Sequence, residues 1–411
     1  IYFYCKDSCN NQLQDPDQSI IMGERKYECT DHFTVGQANR MKKSIMDNTG
    51  GASNFGIVLK NDTITGNDTI RVPTHITKDI LIQSGGRLVV LDTVYMPTRG
   101  RIIIEPGGIL SISGGKITRG TLGDPCGERT GDSRFWRGIE MQISTSGQYP
   151  KVYINNGTVE FSELGIHNPS NRSAGNAHIS INYGIFRNNM HSIHLLRAAS
   201  SNTEDIRINK TRFYHDGFSY LDHYTTQIKI DNSKVYLDSC LFDNPNNRTH
   251  PNRDSSYCIS VMNSTLGVQR TTFEDSLYGI QTNKFLSTTT LAVSTSKFDK
   301  MIIGINTNDG TNEYSITKNT FVNSYQYGLV SKHCKGYIIN KNHFKKISGG
   351  SSNSKGILMS ESGEGSNVIQ LDTFSGLLYG NVSEGINGSE IDGLQYFCNT
   401  HNFNTTDFYL K

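Results

Sequence analysis

From about residue 76 to its end, the chain is built of short runs in which apolar and polar residues alternate. GGRLVVLDTVYM at 85–96 and GGILSISGGKIT at 107–118 lie 22 residues apart. In each, a Gly pair makes a turn, and alternate residues (Leu88 and Val90, then Leu110 and Ile112) share one face of a strand. The wording drifts but the pattern persists in VQRTTFEDSLYGIQT (268–282), VSTSKFDKMIIGINT (293–307) and ITKNTFVNSYQYGLVS (316–331). Each reads as a strand, a polar corner, an inward Phe, a polar turn, then Gly and an apolar residue.

Aligning the inward position gives Val159, Phe186, Phe213, Phe242, Phe273, Phe298, Phe321, Phe344 and Phe374, with gaps of 27, 27, 29, 31, 25, 23, 23 and 30. A period of this length without helical periodicity means a solenoid. The fold expected over 76–411 is mainly β, a single-stranded right-handed parallel β-helix. At the strand spacing of about 4.8 Å, roughly thirteen rungs make a rod about 60 Å long. One aromatic per coil fills an interior column. The Gly after each turn is expected at positive φ, where the chain re-enters a strand. Long insertions such as 243–256 leave from one face, often the binding face.

Residues 1–50 lack the repeat. FTVGQANRMKKSIM (33–46) reads as a helix, with Thr34 and Gln37 forming a capping box and Asn48-Thr49-Gly50 a stop. Residues 51–75 read as a linker and first strands. Cys5, Cys9 and Cys29 crowd this end, while Cys126, Cys240, Cys258, Cys334 and Cys398 are spread along the rod. The reading is one or two disulfides near the N-terminus and buried free thiols in the rod. The N-terminal part is thus a small α/disulfide segment, and a solenoid needs such a cap.

Composition narrows the function classes. The 411 residues carry 40 basic and 38 acidic side chains, a net charge of +2, which gives no reason to expect a nucleic-acid partner. Hydrophobics make up 35%, but 18 Phe and 20 Tyr remain to build a core. No apolar run is long enough for a membrane-spanning helix. No signal peptide opens the chain, so one is expected to have been removed or to lie upstream.

The segment 19–41, SIIMGERKYECTDHFTVGQANRM, resembles the end of a pappalysin-type metzincin protease domain. Met22 matches the Met-turn methionine and Cys29 the cysteine that follows. Phe33, Thr34, Gly36, Gln37, Arg40 and Met41 match the closing helix. Ser19 or Ile20 stands where that family has Asn, and Glu24 departs from its small-residue/Tyr ending. No HExxH occurs among the 12 histidines, so the resemblance implies a zinc site upstream of residue 1. Residues 1–50 are then either a remnant of that domain or the cap alone.

The rungs, with Trp136, Gly138 and Ile139 in FWRGIEM and GLQYFCNTHNFNTTDFYL at 393–410, resemble β-helix modules of secreted Bacteroidota proteins. That resemblance implies export by type IX secretion, with secretion machinery or an outer-membrane protein as partner. Asp62-Thr63-Ile64, Asp68-Thr69-Ile70 and Asp92-Thr93-Val94 resemble the O-glycosylation signal of that phylum, although Asp-Thr also suits turns.

Many β-helices act on polysaccharides. A polygalacturonase-like set needs an Asp-Asp pair, which this sequence lacks, and Asn308-Asp309-Gly310 reads as a turn. A lyase needs calcium-binding carboxylates and an Arg or Lys base. Glu204, Asp205, Asp216, Asp222, Asp238 and Asp254, with Arg207, Arg212 and Arg253, fall in the long-insertion region but nothing fixes their geometry. The best surface patch is HDGFSYLDHY (215–224), giving ligand-binding candidates Tyr214, His215, Tyr220, His223, Tyr224 and Tyr257.

The leading reading is a non-catalytic, secreted or cell-surface module for presentation, adhesion or glycan targeting. It has no catalytic residue or cofactor of its own. The alternative is a carbohydrate-active enzyme on an acidic glycan. A carboxylate cluster on neighbouring rungs would favour the enzyme, and a carboxylate-poor face the module.

Overall fold

The structure, a computed structural model, describes residues 62–120, 135–144, 147–169, 175–196, 206–215, 226–243, 257–285, 290–310, 314–347, 350–389 and 392–411. The helix expected over 33–46, Met22, and the pairing of Cys5, Cys9, Cys29 and Cys126 lie outside the described residues.

The described chain is a right-handed parallel β-solenoid. Its strands run in threes, and each pairs with the strand three positions later. Sheet 1 opens with Thr63–Ile64 and has 14 strands, sheet 2 opens with Asn67–Ile70 and has 13, and sheet 3 opens with Thr74–His75 and has 13. The first coil therefore lies within 62–75.

Register turns the sequence period into columns. On sheet 3, Val159 faces Phe186, and the partners continue through Phe213, Phe242, Phe273, Phe298, Phe321, Phe344 and Phe374. Successive Phe rings lie 4.5–5.1 Å apart and within 14° of parallel. The rung spacing imposes that separation, and burying each ring contributes about 1.5–3 kcal/mol. On sheet 1 an isoleucine column runs in the same way from Ile80 through Ile102, Ile139, Ile166, Ile193, Ile228, Ile259 and Ile280 to Ile305.

Gly85, Gly107 and Gly138 have the expected positive φ, but the glycines that follow the turns of the later coils are not left-handed corners. Gly279, Gly304, Gly328, Gly356 and Gly380 all lack positive φ. A Cβ at Gly304 would lie 2.8 Å from the Phe321 ring and 2.6 Å from the Gly328 carbonyl oxygen. Gly279, Gly328 and Gly356 face Phe298, Phe344 and Phe374 in the same way. Glycine is required there because the aromatic column occupies the space. The positive-φ corners between sheets 2 and 3 fall instead on residues such as Asn156, Lys210, Arg270, Lys318 and Lys341.

A second buried ladder satisfies those corners. The Ser296 amide donates to Asn319 Oδ1 (2.9 Å), the Asn319 amide to Asn342 Oδ1 (2.9 Å), and the Asn342 amide to Asp372 Oδ1 (2.6 Å). The Asp372 amide then donates to Asn399 Oδ1 (2.9 Å). Each Asn also donates its Nδ2 to a sheet 2 carbonyl: Asn319 to Val293, Asn342 to Ile316 and Asn399 to Ile369. Asp372 has no such donor when ionised, and its buried Oδ2 has no partner. Burial raises its pKa from 3.8 to about 7, against the Asn342 hydrogen bonds that favour the carboxylate.

The buried free thiols expected in the rod are present at Cys240, Cys258 and Cys334, whereas Cys398 is free but exposed. Burial pushes the Cys240 and Cys258 thiols up to about 12, so they are inert at neutral pH.

Two predictions follow from the columns. Gly304→Ala overpacks the Phe321 position and should destabilise the rod by about 1–3 kcal/mol in denaturant melts. A folded-state pKa above the unfolded one means that the Asp372 cost grows as pH rises from about 4 to about 7, where ionisation of the folded state begins. Asp372→Asn restores the missing donor and should raise the melting midpoint at pH 8, by on the order of 2–4 kcal/mol, while leaving it nearly unchanged at pH 4. Equal midpoint shifts at both pH values would remove the ionised carboxylate as the cause.

Candidate functional site

Connection lengths single out one face. From Asn155 onward, every corner from sheet 2 to sheet 3 has two residues, for example 156–157 and 398–399. Length varies only at the other two corners, which both flank sheet 1. Residues 120–135, 215–225 and 244–256 enter sheet 1, and 197–205 and 286–290 leave it. The outer face of sheet 1 therefore runs along the rod between the two variable corners, where solenoids commonly bind.

The first half of this face is polar. Arg101 bonds Asp79 (Nε to Oδ2, 2.8 Å) and Glu140 (NH1 to Oε2, 2.8 Å). In register below Glu140 come His167, His194 and Lys229 on successive rungs, with His191 beside them. His167 Nδ1 lies 3.2 Å from the Leu164 carbonyl and His191 Nδ1 3.1 Å from that of Thr226. A carbonyl only accepts, so each Nδ1 carries the proton and each Nε2 keeps its lone pair. Burial lowers the pKa of both rings. His194 falls to about 3, through burial first and then the neighbouring His191 and Lys229 charges. All three imidazoles are neutral at pH 7.

The second half is aromatic. One outward column contains Tyr257, Tyr278, Ile303, Tyr327, Lys355 and Tyr379 on six successive rungs. The Tyr257 and Tyr278 rings lie 5.1 Å apart. Lys355 Nζ sits 4.7 Å from the Tyr327 ring centre and 5.7 Å from that of Tyr379, a cation held between two π faces. Beside this column Val330, Leu358 and Val382 form, with Ile303, a small apolar cluster outside the main core. Tyr278, Tyr327 and Tyr379 pack on it, which fixes their rings. Ring faces are thereby used within the column, and Lys355 Nζ also donates to the Tyr327 hydroxyl (3.3 Å), so the column turns ring edges and the rest of the ammonium outward.

The sequence candidates do not assemble into one patch. Tyr257 lies in the aromatic column of sheet 1. Tyr214 lies on the outer face of sheet 3, with the Arg212 guanidinium 4.1 Å over its ring. His215 is a correction: it is buried at 4% exposure, and its Nε2 accepts from Gln227 Nε2 at 2.6 Å. Gln227 in turn accepts from Ser192 Oγ, so His215 belongs to an interior polar network. Tyr220, His223 and Tyr224 fall outside the described residues, as do Glu204, Asp205, Asp216, Asp222, Arg253 and Asp254.

The described charged candidates are dispersed. Asp238 ends a sheet 2 strand and pairs with Arg270, which lowers its pKa. Arg207 is on sheet 2 and Arg212 on sheet 3. Asn308-Asp309-Gly310, expected as a turn, instead closes the sheet 1 strand Ile303–Gly310, with Asp309 at φ 53° inside it. Asp68 and Asp92 accept from the amides of Thr69 and Thr93 (2.7 and 2.6 Å); Asp92 lies in the turn between strands, whereas Asp68 and Thr69 lie inside the strand Asn67–Ile70. Among the described residues no group of His, Cys, Asp and Glu could hold a metal ion. Tyr278, Tyr327, Lys355 and Tyr379 were missed, yet each immediately precedes the repeat glycine, a position that must point outward when the next apolar residue points in.

No family model matches the chain, and no curated protein matches it. Among solved structures it is similar to the surface adhesin PfbA of Streptococcus pneumoniae in two structures. One has 12% identity over 90% of this chain and 89% of that chain, with a TM-score of 0.39. The other has 11% identity over 80% and 92%, with a TM-score of 0.34. It is also similar to the A-module of Azotobacter vinelandii mannuronan C-5 epimerase AlgE4, at 9% identity over 91% and 94%, with a TM-score of 0.34. Likenesses this distant assign no residue and no activity. They give no support to the metalloprotease or Bacteroidota resemblances.

Proposed function

We propose that this chain is a non-catalytic β-helix module of an extracellular protein, and that it holds a glycan along the outer face of sheet 1. The observation that carries this reading is the column Tyr257, Tyr278, Ile303, Tyr327, Lys355 and Tyr379. It offers hydroxyls and an ammonium over an apolar base at one position per rung. A linear glycan is a repeating ligand with hydroxyls at regular intervals, and a step of about 4.8 Å per rung suits repeated shallow contacts. The packing of Lys355 between two rings orders its long side chain before binding, which lowers the entropy cost of contact. Among the described residues of sheet 1, Glu140 and Glu163 lie on paired strands, as do Glu384 and Asp407, but Arg101 engages Glu140 and Lys411 engages Glu384. A carboxylate held by a cation is a poor general acid, which disfavours hydrolysis by either pair.

The test is retention on immobilised neutral and acidic oligosaccharides of the full chain and of the triple variant Tyr327→Phe, Lys355→Met, Tyr379→Phe. This variant keeps volume and removes polar atoms. It should lose about tenfold or more in affinity without losing its melting midpoint. Unchanged affinity, or no retention of the unaltered chain on any glycan, would sink the reading.

The carbohydrate-active alternative has one observation in its favour. His167 and His191 present neutral Nε2 lone pairs on adjacent rungs, a form suited to proton transfer. It predicts new reducing ends or unsaturated products when acidic glycans are incubated with the chain, and their loss in His191→Gln. Mass spectrometry that finds no product removes this alternative and leaves the binding reading intact.

A further inference from the structure

The rod's positive charge is concentrated. Residues 297–355 hold nine lysines against three carboxylates, whereas the whole chain has a net charge of only +2. The rest of the chain is therefore net negative, by 2 − 6 = −4.

The outer face of sheet 3 shows where this matters. Earlier coils pair their charges between neighbouring rungs. Lys116 and Arg187 flank Glu160 (3.4 and 3.6 Å), Arg212 meets Asp243 (3.2 Å), and Lys297 meets Glu274 and Asp299 (3.7 and 2.8 Å). The pattern then stops. Lys345 stands between Val322 and Ser375, and His343 between Thr320 and Thr373. Lys318 and Lys341 occupy equivalent positive-φ corners one rung apart, as the Lys318 amide bond to the Asn340 carbonyl shows. Lys300 and Lys346 occupy the corner on the other side of the sheet. Among the described residues none of these five lysines has an acidic partner, and Lys300, Lys318, Lys341 and Lys345 are exposed. Like charges are thus gathered at a cost to stability where the fold elsewhere alternates them.

We infer that this face of sheet 3, over the coils from Lys300 to Lys346, is a second binding surface whose partner is a linear anionic polysaccharide bearing sulfate or carboxylate groups. It is distinct from the sheet 1 face and does not depend on that reading. Lys318 and Lys341 lie one rung, about 4.8 Å, apart along the rod, and Lys341 and Lys345 lie about 13 Å apart across it. Cations spread this far match an extended polyanion better than a compact ligand. The hydroxyls of Thr320, Thr373 and Ser375 between the cations suit sugar hydroxyls and sulfate oxygens. Nucleic acid fits less well. Single strands need aromatic platforms between the cations, and the strands Thr320–Val322, His343–Lys345 and Thr373–Ser375 point their Phe residues inward. Duplex grooves need a protruding helix or ribbon, not a flat sheet face.

The experiment is titration of the full chain with dextran sulfate, unsulfated dextran and duplex DNA, at several salt concentrations. Dextran sulfate should bind, with affinity falling as salt rises, and dextran should not bind at this face. The variant Lys318→Gln, Lys341→Gln, Lys345→Gln, Lys346→Gln should weaken dextran sulfate binding by more than about tenfold. A control variant of paired lysines, Lys116→Gln and Lys297→Gln, should change it by less than about threefold. Because all six positions are at least partly exposed, melting curves should show both variants folded. Equal loss in the two variants, no loss in the quadruple variant, or tighter binding of DNA than of dextran sulfate would overturn the proposal. Loss of dextran sulfate binding in the quadruple variant, with sheet 1 glycan retention preserved, would establish the surface as separate.

Discussion

The whole structure depends on one constraint: coils stacked in parallel at strand spacing put equivalent residues directly above one another. A side chain that suits one coil must tolerate a copy of itself one rung away. Phe meets this by stacking face to face from Phe186 to Phe374, and Ile by nesting from Ile80 to Ile305. The Phe column then dictates its neighbours, because each ring fills the space where the repeat glycine would carry a Cβ. Asn at the corners meets the same constraint with hydrogen bonds, each oxygen serving the amide of the adjacent coil. Where that identity breaks, as at Asp372 between Asn342 and Asn399, the cost appears as a buried acceptor with nothing to accept.

This explains what could be read from the sequence. Nine inward positions, Val159 to Phe374, were legible with their register, because an aromatic that recurs at each coil has one geometric solution. The free thiols of the rod were legible because isolated Cys on an apolar face behaves as a small hydrophobe. The glycine role was legible at Gly85, Gly107 and Gly138 but not in the later coils, since proximity to a turn suggests positive φ and only the next rung reveals a ring against the Cβ position. His215 was misread for a related reason. Its polarity suggested the surface, but Gln227 and Ser192, 12 and 23 residues away in sequence, complete its hydrogen bonding inside. Tyr257 was chosen for its place beside an insertion, whereas its true neighbours, Tyr278 onward, are set by register.

The division of labour among the three corners follows from the same stacking. The corner between sheets 2 and 3 holds the buried ladder, so its length cannot vary. Among the described residues the corner from sheet 3 to sheet 1 has such Asn bonds only at separate coils (Asn189, Asn323 and Asn404), and both other corners tolerate insertions, which leaves sheet 1 between them as the face free to diversify. Its outward residues break the identity rule that governs the core. Glu140, three histidines and Lys229 give way to tyrosines around Lys355, so one continuous surface changes from polar to aromatic along the rod. A face with that gradient suits an extended ligand in one direction, a task that a uniform rod would not perform.

The claim that sheet 1 is the ligand face is tested most directly by carbene footprinting of the full chain, with and without an oligosaccharide that it retains. The account predicts that labelling falls at Tyr278, Tyr327, Lys355 and Tyr379 and stays constant at Tyr153 and Tyr236, exposed on the outer face of sheet 2. Protection of Tyr153 and Tyr236 with the sheet 1 column unchanged would contradict it.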